Sequence, residues 1–189
     1  IGFHQLVLKK KQLYKPPSFS IDLSSVAKGY AVDELAGLLE ASGFENYMVE
    51  IGGEVKTAGN NSQGSDWIIG IEAPNRRDRS LHRTLPVFNL ALATSGDYRN
   101  YFDHQGVSYS HTIDPRTGWP VNHNLVSITV LHKSAAVADA FATAFSVLGA
   151  DETLRIADEE NLMVFAIIRE GDSFEDRLSG ALVSYLDHR

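Results

Sequence analysis

Two spacings of apolar residues divide this chain: strict alternation, which marks strands, and a repeat of three and four, which marks helices. Residues 3 to 8 and 11 to 14 read as a hairpin across Lys9-Lys10, followed by a loop at Pro16-Pro17. A helix is then predicted, with Ser24 or Ser25 as N-cap and Gly43 just past its end. Between those caps Ala27, Tyr30, Ala31, Leu35, Leu38 and Leu39 recur at helical spacing and predict one apolar face. Tyr47 to Ile51 reads as a strand ending in Gly52-Gly53, with Glu54 to Ala58 returning from it and a turn cluster at Gly59 to Ser62.

Trp67 to Ile71 is expected to be a buried strand, and the charged segment Asn75 to Arg83 an exposed loop. Residues 85 to 93 read as one apolar strand ending at Thr94-Ser95-Gly96-Asp97. Leu125 to Leu131 alternates Val126, Ile128 and Val130 with Ser127 and Thr129, the pattern of a half-buried strand. Ser134 and Gly149 bracket a helix over residues 134 to 148, and a short amphipathic helix is expected near Glu152 to Glu159. Leu162 to Ile168 and Leu182 to Leu186 complete the set as strands, with a turn at Gly171-Asp172 between them. Many strands on short turns with two main helices predict an α+β fold with a largely antiparallel sheet and helices packed on it.

Composition narrows the function without naming it. With 189 residues, 43% hydrophobic and 22% charged, the chain has the make-up of an ordinary globular protein with one good-sized core or two small ones. A formal net charge of −7 argues against nucleic acid as a partner, since phosphate-backbone binding needs a basic surface. The absence of cysteine excludes disulfides, thiolate catalysis and Cys-based zinc sites. No apolar run reaches membrane-spanning length. The chain opens on Ile1-Gly2-Phe3-His4 without a Met, and the expectation is that an N-terminal portion has been processed or is missing.

Three stretches carry candidate chemistry. Ser110 to Gly118 places an imidazole, a hydroxyl, a carboxylate and a guanidinium within one short run, broken by the turn signals Asp114-Pro115 and Thr117-Gly118. It reads equally as a polar turn. Asp139 and Thr143 stand four apart on a helix that is apolar nearly all round, so they share a face and both are expected to be buried. Two hard oxygens there suit Mg²⁺, but a core aspartate paired with a Lys, Arg or backbone amide fits as well. Asp22 to Lys28 leads into the first helix, whose N-terminus and Lys28 could receive a phosphate, or simply form a capped start. Gly52-Gly53 and Ser95-Gly96 allow close backbone approach to a ligand, while G-x-G-x-x-G and Walker A patterns are absent.

Together these stretches resemble the ApbE family, the FAD:protein FMN transferases. The resemblance is carried by Asp22 to Asp33, Glu50-Ile51-Gly52-Gly53-Glu54, Ala93 to Arg99, Ser110 to Gly118 and Ala138 to Thr143, in the family's order. It implies a T-fold-like catalytic core and Mg²⁺-dependent transfer of FMN from FAD to a Thr or Ser hydroxyl of an acceptor flavoprotein subunit, with release of AMP. The implied metal ligands are the Asp139 carboxylate, the Thr143 hydroxyl and the backbone carbonyl of Ser25. Asp22, Lys28 and Ile113 are the implied FAD contacts, with Thr94, Ser95 and Gly96 grouped beside them as cofactor-binding residues. His111 is the implied catalytic base, a role an imidazole suits because it exchanges protons near neutrality. Residues 1–189 are then expected to be a single catalytic-domain fragment lacking the N-terminal portion. That portion would hold the signal peptide and lipid-attachment cysteine of a periplasmic, inner-membrane lipoprotein, the chain's only link to a membrane. An FAD pyrophosphatase yielding FMN and AMP, and a non-catalytic FAD-binding protein, remain alternatives.

Overall fold

In a computed structural model of the chain, which describes residues 2–75, 80–96, 101–104 and 107–189, the architecture is three layers around one antiparallel sheet. The sheet is built from β3 (Tyr47–Ile51), β4 (Glu54–Ala58), β7 (Ala91–Gly96), β12 (Leu125–His132), β13 (Met163–Glu170) and β14 (Ser173–Leu178). Their order is β14-β13-β12-β7-β4-β3, antiparallel throughout. One face carries α1 (Ala27–Ala41), α2 (Ala135–Leu148) and α3 (Ala150–Glu159), packed on Ala91, Ala93, Ile128, Val130 and Ala166. The other face carries α4 (Gly180–Asp187) and a separate hairpin, β5 (Trp67–Glu72) with β6 (Leu81–Val87). Ile71, Leu85 and Leu182 close that side over Leu92, Phe165 and Ile167. The expected α+β class and antiparallel sheet are both present.

The remaining elements are small. A 3-10 turn at Phe3–Gln5 precedes β1 (Val7–Lys9) and β2 (Gln12–Tyr14). The hairpins β8 (Tyr101–His104) with β9 (Val107–Ser110), and β10 (Ile113–Asp114) with β11 (Trp119–Pro120), stand apart from the main sheet.

Several expectations are corrected, each for a packing reason. The first hairpin is shorter than residues 3–8 and 11–14 and turns at Lys10-Lys11, both with positive φ. Neither Ser24 nor Ser25 caps α1, whose N-cap position is Val26. The buried stripe of α1 is Gly29, Val32 and Ala36, while Tyr30, Leu35 and Leu38 are exposed. The small residues win because α1 lies directly on α2: a Cβ on Gly29 would stand 2.3 Å from the Ala135 carbonyl oxygen. β5 is a strand but not a buried one, since Ile68 is exposed. The apolar run 85–93 is two strands in two sheets, broken at Phe88-Asn89, where Asn89 has φ +52°. Most of residues 80–83, read as loop, belongs to β6, and residues 76–79 lie outside the described residues. β12 is buried on both faces because it is central, so Ser127 and Thr129 are inside. Leu182 to Leu186 is helical: Ser179 accepts from the Leu182 N–H as an N-cap and starts α4 there. β14 occupies Ser173–Leu178 instead.

The placement of α2 does most to shape the polar end of the sheet. Ser134 caps it as expected, its Oγ accepting from the Val137 N–H at 3.3 Å, and Gly149 ends it at φ +83°. A second cap comes from α1. Asp33 accepts the Ala135 and Ala136 N–H groups, both at 3.0 Å, and the Ser134 hydroxyl at 2.7 Å. Lys56 of β4 donates to the same carboxylate at 2.8 Å. One side chain therefore joins α1, the N-terminus of α2 and the sheet.

Candidate active site

The site gathers where β7 ends and β4 begins. Ile51 and Glu54 are register partners, so the β3–β4 loop is only Gly52 and Gly53, with φ +60° and +99°. Two successive residues with positive φ form the tight hairpin turn that glycine adopts at least cost. A Cβ on Gly52 would also meet the Lys28 Cδ at 3.4 Å, so the bare turn leaves a bed for the lysine stem. Lys28, in the first turn of α1, donates to Glu54 Oε1 at 2.5 Å. Glu54 is 1% exposed, and its Oε2 has no hydrogen-bond partner. Burial pushes the Glu54 carboxyl above the ordinary range, Lys28 draws it partly back, and the charge of nearby Asp139 pushes it up again.

α2 supplies that second carboxylate. Asp139 is 3% exposed, and its Oδ2 accepts the Gly29 N–H at 3.0 Å. In an undisturbed helix that N–H would bond the carbonyl four residues back, that of Ser25. The neighbouring Tyr30 N–H does reach Val26 in this way, at 2.9 Å. The Ser25 carbonyl, deprived of Gly29, accepts no backbone N–H among the described residues. Asp139 Oδ1 likewise takes no donor among them. Of the two readings of the helical aspartate, the pairing with a backbone amide is present at one oxygen, and the other oxygen takes no donor among the described residues.

Thr143 lies one turn further along α2, its Oγ1 3.4 Å from Ser95 Oγ at the end of β7. Strand alternation splits the predicted Thr94-Ser95-Gly96 run. Ser95 faces α2, whereas Thr94 and Gly96 line a cleft of about 520 Å³ on the opposite side, between β3, β4, β7 and the β5–β6 hairpin. Lys28, Glu50 and Thr94 are polar groups on its wall, with Met48, Ile68 and Leu92 among the apolar ones. A volume of that size lies in the range of small-molecule pockets.

The stretch around His111 comes to the same region from another direction. Thr112 is held on both sides, its N–H donating to Ser110 Oγ at 3.1 Å and its carbonyl accepting from Val121 at 2.9 Å. Thr112 shares the lining of a void of about 10 Å³ with Ser95, Gly96 and Ser127. His111 therefore projects, exposed, from a loop docked against the end of β7. Asp114 builds the turn: its carbonyl accepts the Gly118 N–H at 2.8 Å and its carboxylate pairs with Arg116 at 2.8 Å. Asp22 and Ile113 are exposed and do not line the cleft. The Asp22 carboxylate accepts the Ser24 N–H at 2.8 Å, which lowers its pKa and shapes the turn into α1. Asp97, Tyr98 and Arg99 lie outside the described residues.

No group of three or more His, Asp or Glu side chains converges among the described residues. A cation here would rest on an Asp139 oxygen, the Thr143 hydroxyl and the Ser25 carbonyl, all hard oxygen donors. That set fits Mg²⁺, which commonly takes one or two carboxylates and completes its shell with water and substrate phosphate. The residues that sequence reasoning passed over are Asp33, Gly29 and Glu54. For Glu54 the available signal was parity: on β4 it shares the helix-facing side with Lys56, so its charge had to point inward.

The profile of the ApbE family matches residues 1–168. An FAD:protein FMN transferase of Vibrio cholerae is 42% identical over 186 residues, 98% of this chain and 56% of that protein. The Haemophilus influenzae protein of the same name is 44% identical over 166 residues, 87% of this chain and 48% of its own length. The solved structure of the flavin transferase ApbE from Vibrio cholerae superposes with a TM-score of 0.86 at 40% identity, covering 97% of this chain and 58% of that one. The chain spans about half the length of the curated relatives it matches.

Proposed function

The chain belongs to the ApbE family, and we propose that it carries the metal- and pyrophosphate-handling half of a flavin transferase. The reaction moves FMN from FAD onto a Thr or Ser hydroxyl of an acceptor flavoprotein and releases AMP. The observation that carries this reading is the meeting of Asp139, Thr143, Lys28 and the Ser25 carbonyl, which accepts no backbone N–H among the described residues, at one end of the sheet beside a cleft of about 520 Å³.

Each part has a task in that chemistry. A pyrophosphate repels an incoming hydroxyl until its charge is met. Lys28, in the first turn of α1, brings a cation to the cleft wall, and the positive end of the helix dipole lies at that same turn. Mg²⁺, when bound, supplies further charge neutralisation and orients the phosphoryl group. Asp139, Thr143 and Ser25 are the residues that would hold it. The apolar wall of Met48, Ile68 and Leu92 suits a flavin or adenine ring. His111, exposed on its docked loop, takes the proton of the acceptor hydroxyl as that oxygen attacks phosphorus. Its exposure suits a macromolecular acceptor, which must reach the site from outside. The same reading puts the protein in the periplasm on a lipid anchor, supported by the family resemblance. Among the described residues no helix is long and apolar enough to cross a membrane.

The test is to incubate the full-length protein with FAD, Mg²⁺ and a candidate acceptor, then separate protein-bound from free flavin. Flavin that stays on the acceptor after denaturation, with one AMP per FMN, is the expected result. Free FMN and AMP with unmodified acceptor would make it a pyrophosphatase, and unchanged FAD a binding protein.

A further inference from the structure

One buried group has no task in that scheme. Glu54 is 1% exposed, holds a single partner through Oε1, and leaves Oε2 without any. A carboxylate in that state costs stability rather than adding it. The Asp139 charge close by increases the cost, as its upward push on Glu54 records. Packing alone does not require the charge, because glutamine has the same shape. What the charge does is hold Lys28. The lysine side chain is 46% exposed, and on its flexible four-carbon stem it would otherwise sample many positions at the cleft mouth. The salt bridge and the bare Gly52 surface together confine it to one.

We propose that Glu54 is a positioning residue, which fixes the Lys28 ammonium at the cleft mouth for the diphosphate of the substrate. Substrate identity rests on the flavin-transferase reading; the link between Glu54 and Lys28 rests on geometry and serves any diphosphate ester. The arrangement keeps a strained acid inside the fold in return for a cation that need not be ordered when substrate arrives. Lys28 touches the ligand, and Glu54 acts through it.

The experiment uses the full-length protein and four variants: Glu54→Gln, Glu54→Asp, Lys28→Met, and Glu54→Gln combined with Lys28→Met. FAD affinity is read from flavin fluorescence, KM and kcat from turnover, and folding from thermal melts. In Glu54→Gln, KM and Kd for FAD should rise on the order of ten- to a hundredfold, the scale of a misplaced binding group. The change in kcat should be smaller, and Tm should stay equal to wild type or increase. Glu54→Asp, which keeps the charge, should recover part of the affinity. The double variant should bind FAD no more weakly than Lys28→Met alone. Wild-type affinity in Glu54→Gln, additive losses in the double variant, or a Tm that falls in step with affinity would each overturn the proposal. Should wild type bind no FAD, the flavin reading fails by itself. Inorganic pyrophosphate then serves as probe: weaker, non-additive binding in the variants upholds the Glu54–Lys28 link, and unchanged binding refutes it.

Discussion

Removing the Asp33 carboxylate should destabilise the protein by an amount that the structure fixes from two directions. Burial by itself would raise the Asp33 pKa, but the Ala136 N–H, the Lys56 ammonium, the Ser134 hydroxyl and the Ala135 N–H outweigh it and hold the value at about 2, against 3.8 for a free aspartate. At about 1.4 kcal/mol per pH unit, that gap corresponds to about 2 kcal/mol of folding stability. The pKa is depressed in the folded state, so the contribution is fully present above pH 3.8 and disappears as pH falls toward 2. The contacts give a similar figure independently. Asp33→Asn keeps an acceptor for the two first-turn amides but loses the charge that Lys56 and the α2 N-terminus face, worth about 1–2 kcal/mol together. For a chain of this length, about 2 kcal/mol lowers Tm by roughly 4–8 °C. Urea titrations of wild type and Asp33→Asn from pH 7 down to pH 2 provide the assay. The difference between the two curves should be about 2 kcal/mol at neutral pH and close to zero at pH 2. An Asn variant as stable as wild type at pH 7, or a difference that does not shrink between pH 4 and 2, refutes the assignment.

Gly29→Ala should reverse the usual sign of such a change. An exposed helical glycine gains about 1 kcal/mol on becoming alanine, but here the new methyl meets the Ala135 carbonyl oxygen at 2.3 Å. A loss of about 2–3 kcal/mol in chemical denaturation, with weakened FAD binding as α1 and α2 part, is expected. Asp139→Asn should leave Tm unchanged or higher, since a buried charge is removed, while the proposed metal role predicts that turnover measured with Mg²⁺ present falls by at least about a hundredfold. On the role proposed for it, His111→Ala should lower turnover by about 10²–10⁴-fold with FAD affinity within a factor of about two of wild type, because a proton acceptor contributes to the reaction and not to ground-state binding. Equilibrium binding beside single-turnover kinetics separates the two.

Local signals in the sequence were sufficient at several turns and caps. Gly52-Gly53 defines the hairpin between β3 and β4, Ser134 and Gly149 bracket α2, and Asp114 with Gly118 forms the predicted turn. They failed where a neighbour in space decided the outcome. Leu182 to Leu186 has the composition of a strand, yet it is part of a helix that packs Leu182 on Phe165 and Ile167 of the sheet. The large apolar residues of α1 suggested the buried face, yet α1 buries Gly29, Val32 and Ala36, and at Gly29 α2 leaves no room for anything larger.

The candidate site divides along the same line. The sequence alone singled out the candidate side chains: the i, i+4 pair Asp139 and Thr143, Lys28 at a helix start, and His111 beside a turn. Their order along the chain was enough for the family resemblance. Only the tertiary structure decided what each oxygen and nitrogen does. It sends the Gly29 N–H to Asp139 and so releases the Ser25 carbonyl, and it turns Ser95 toward Thr143 while Thr94 faces the cleft. It also buries Glu54 against Lys28. The physical reason is the range of the interactions. Caps, turns and alternation act over a few residues and are written in local order, whereas Asp139 and Gly29 are 110 residues apart and meet only because two helices close on each other.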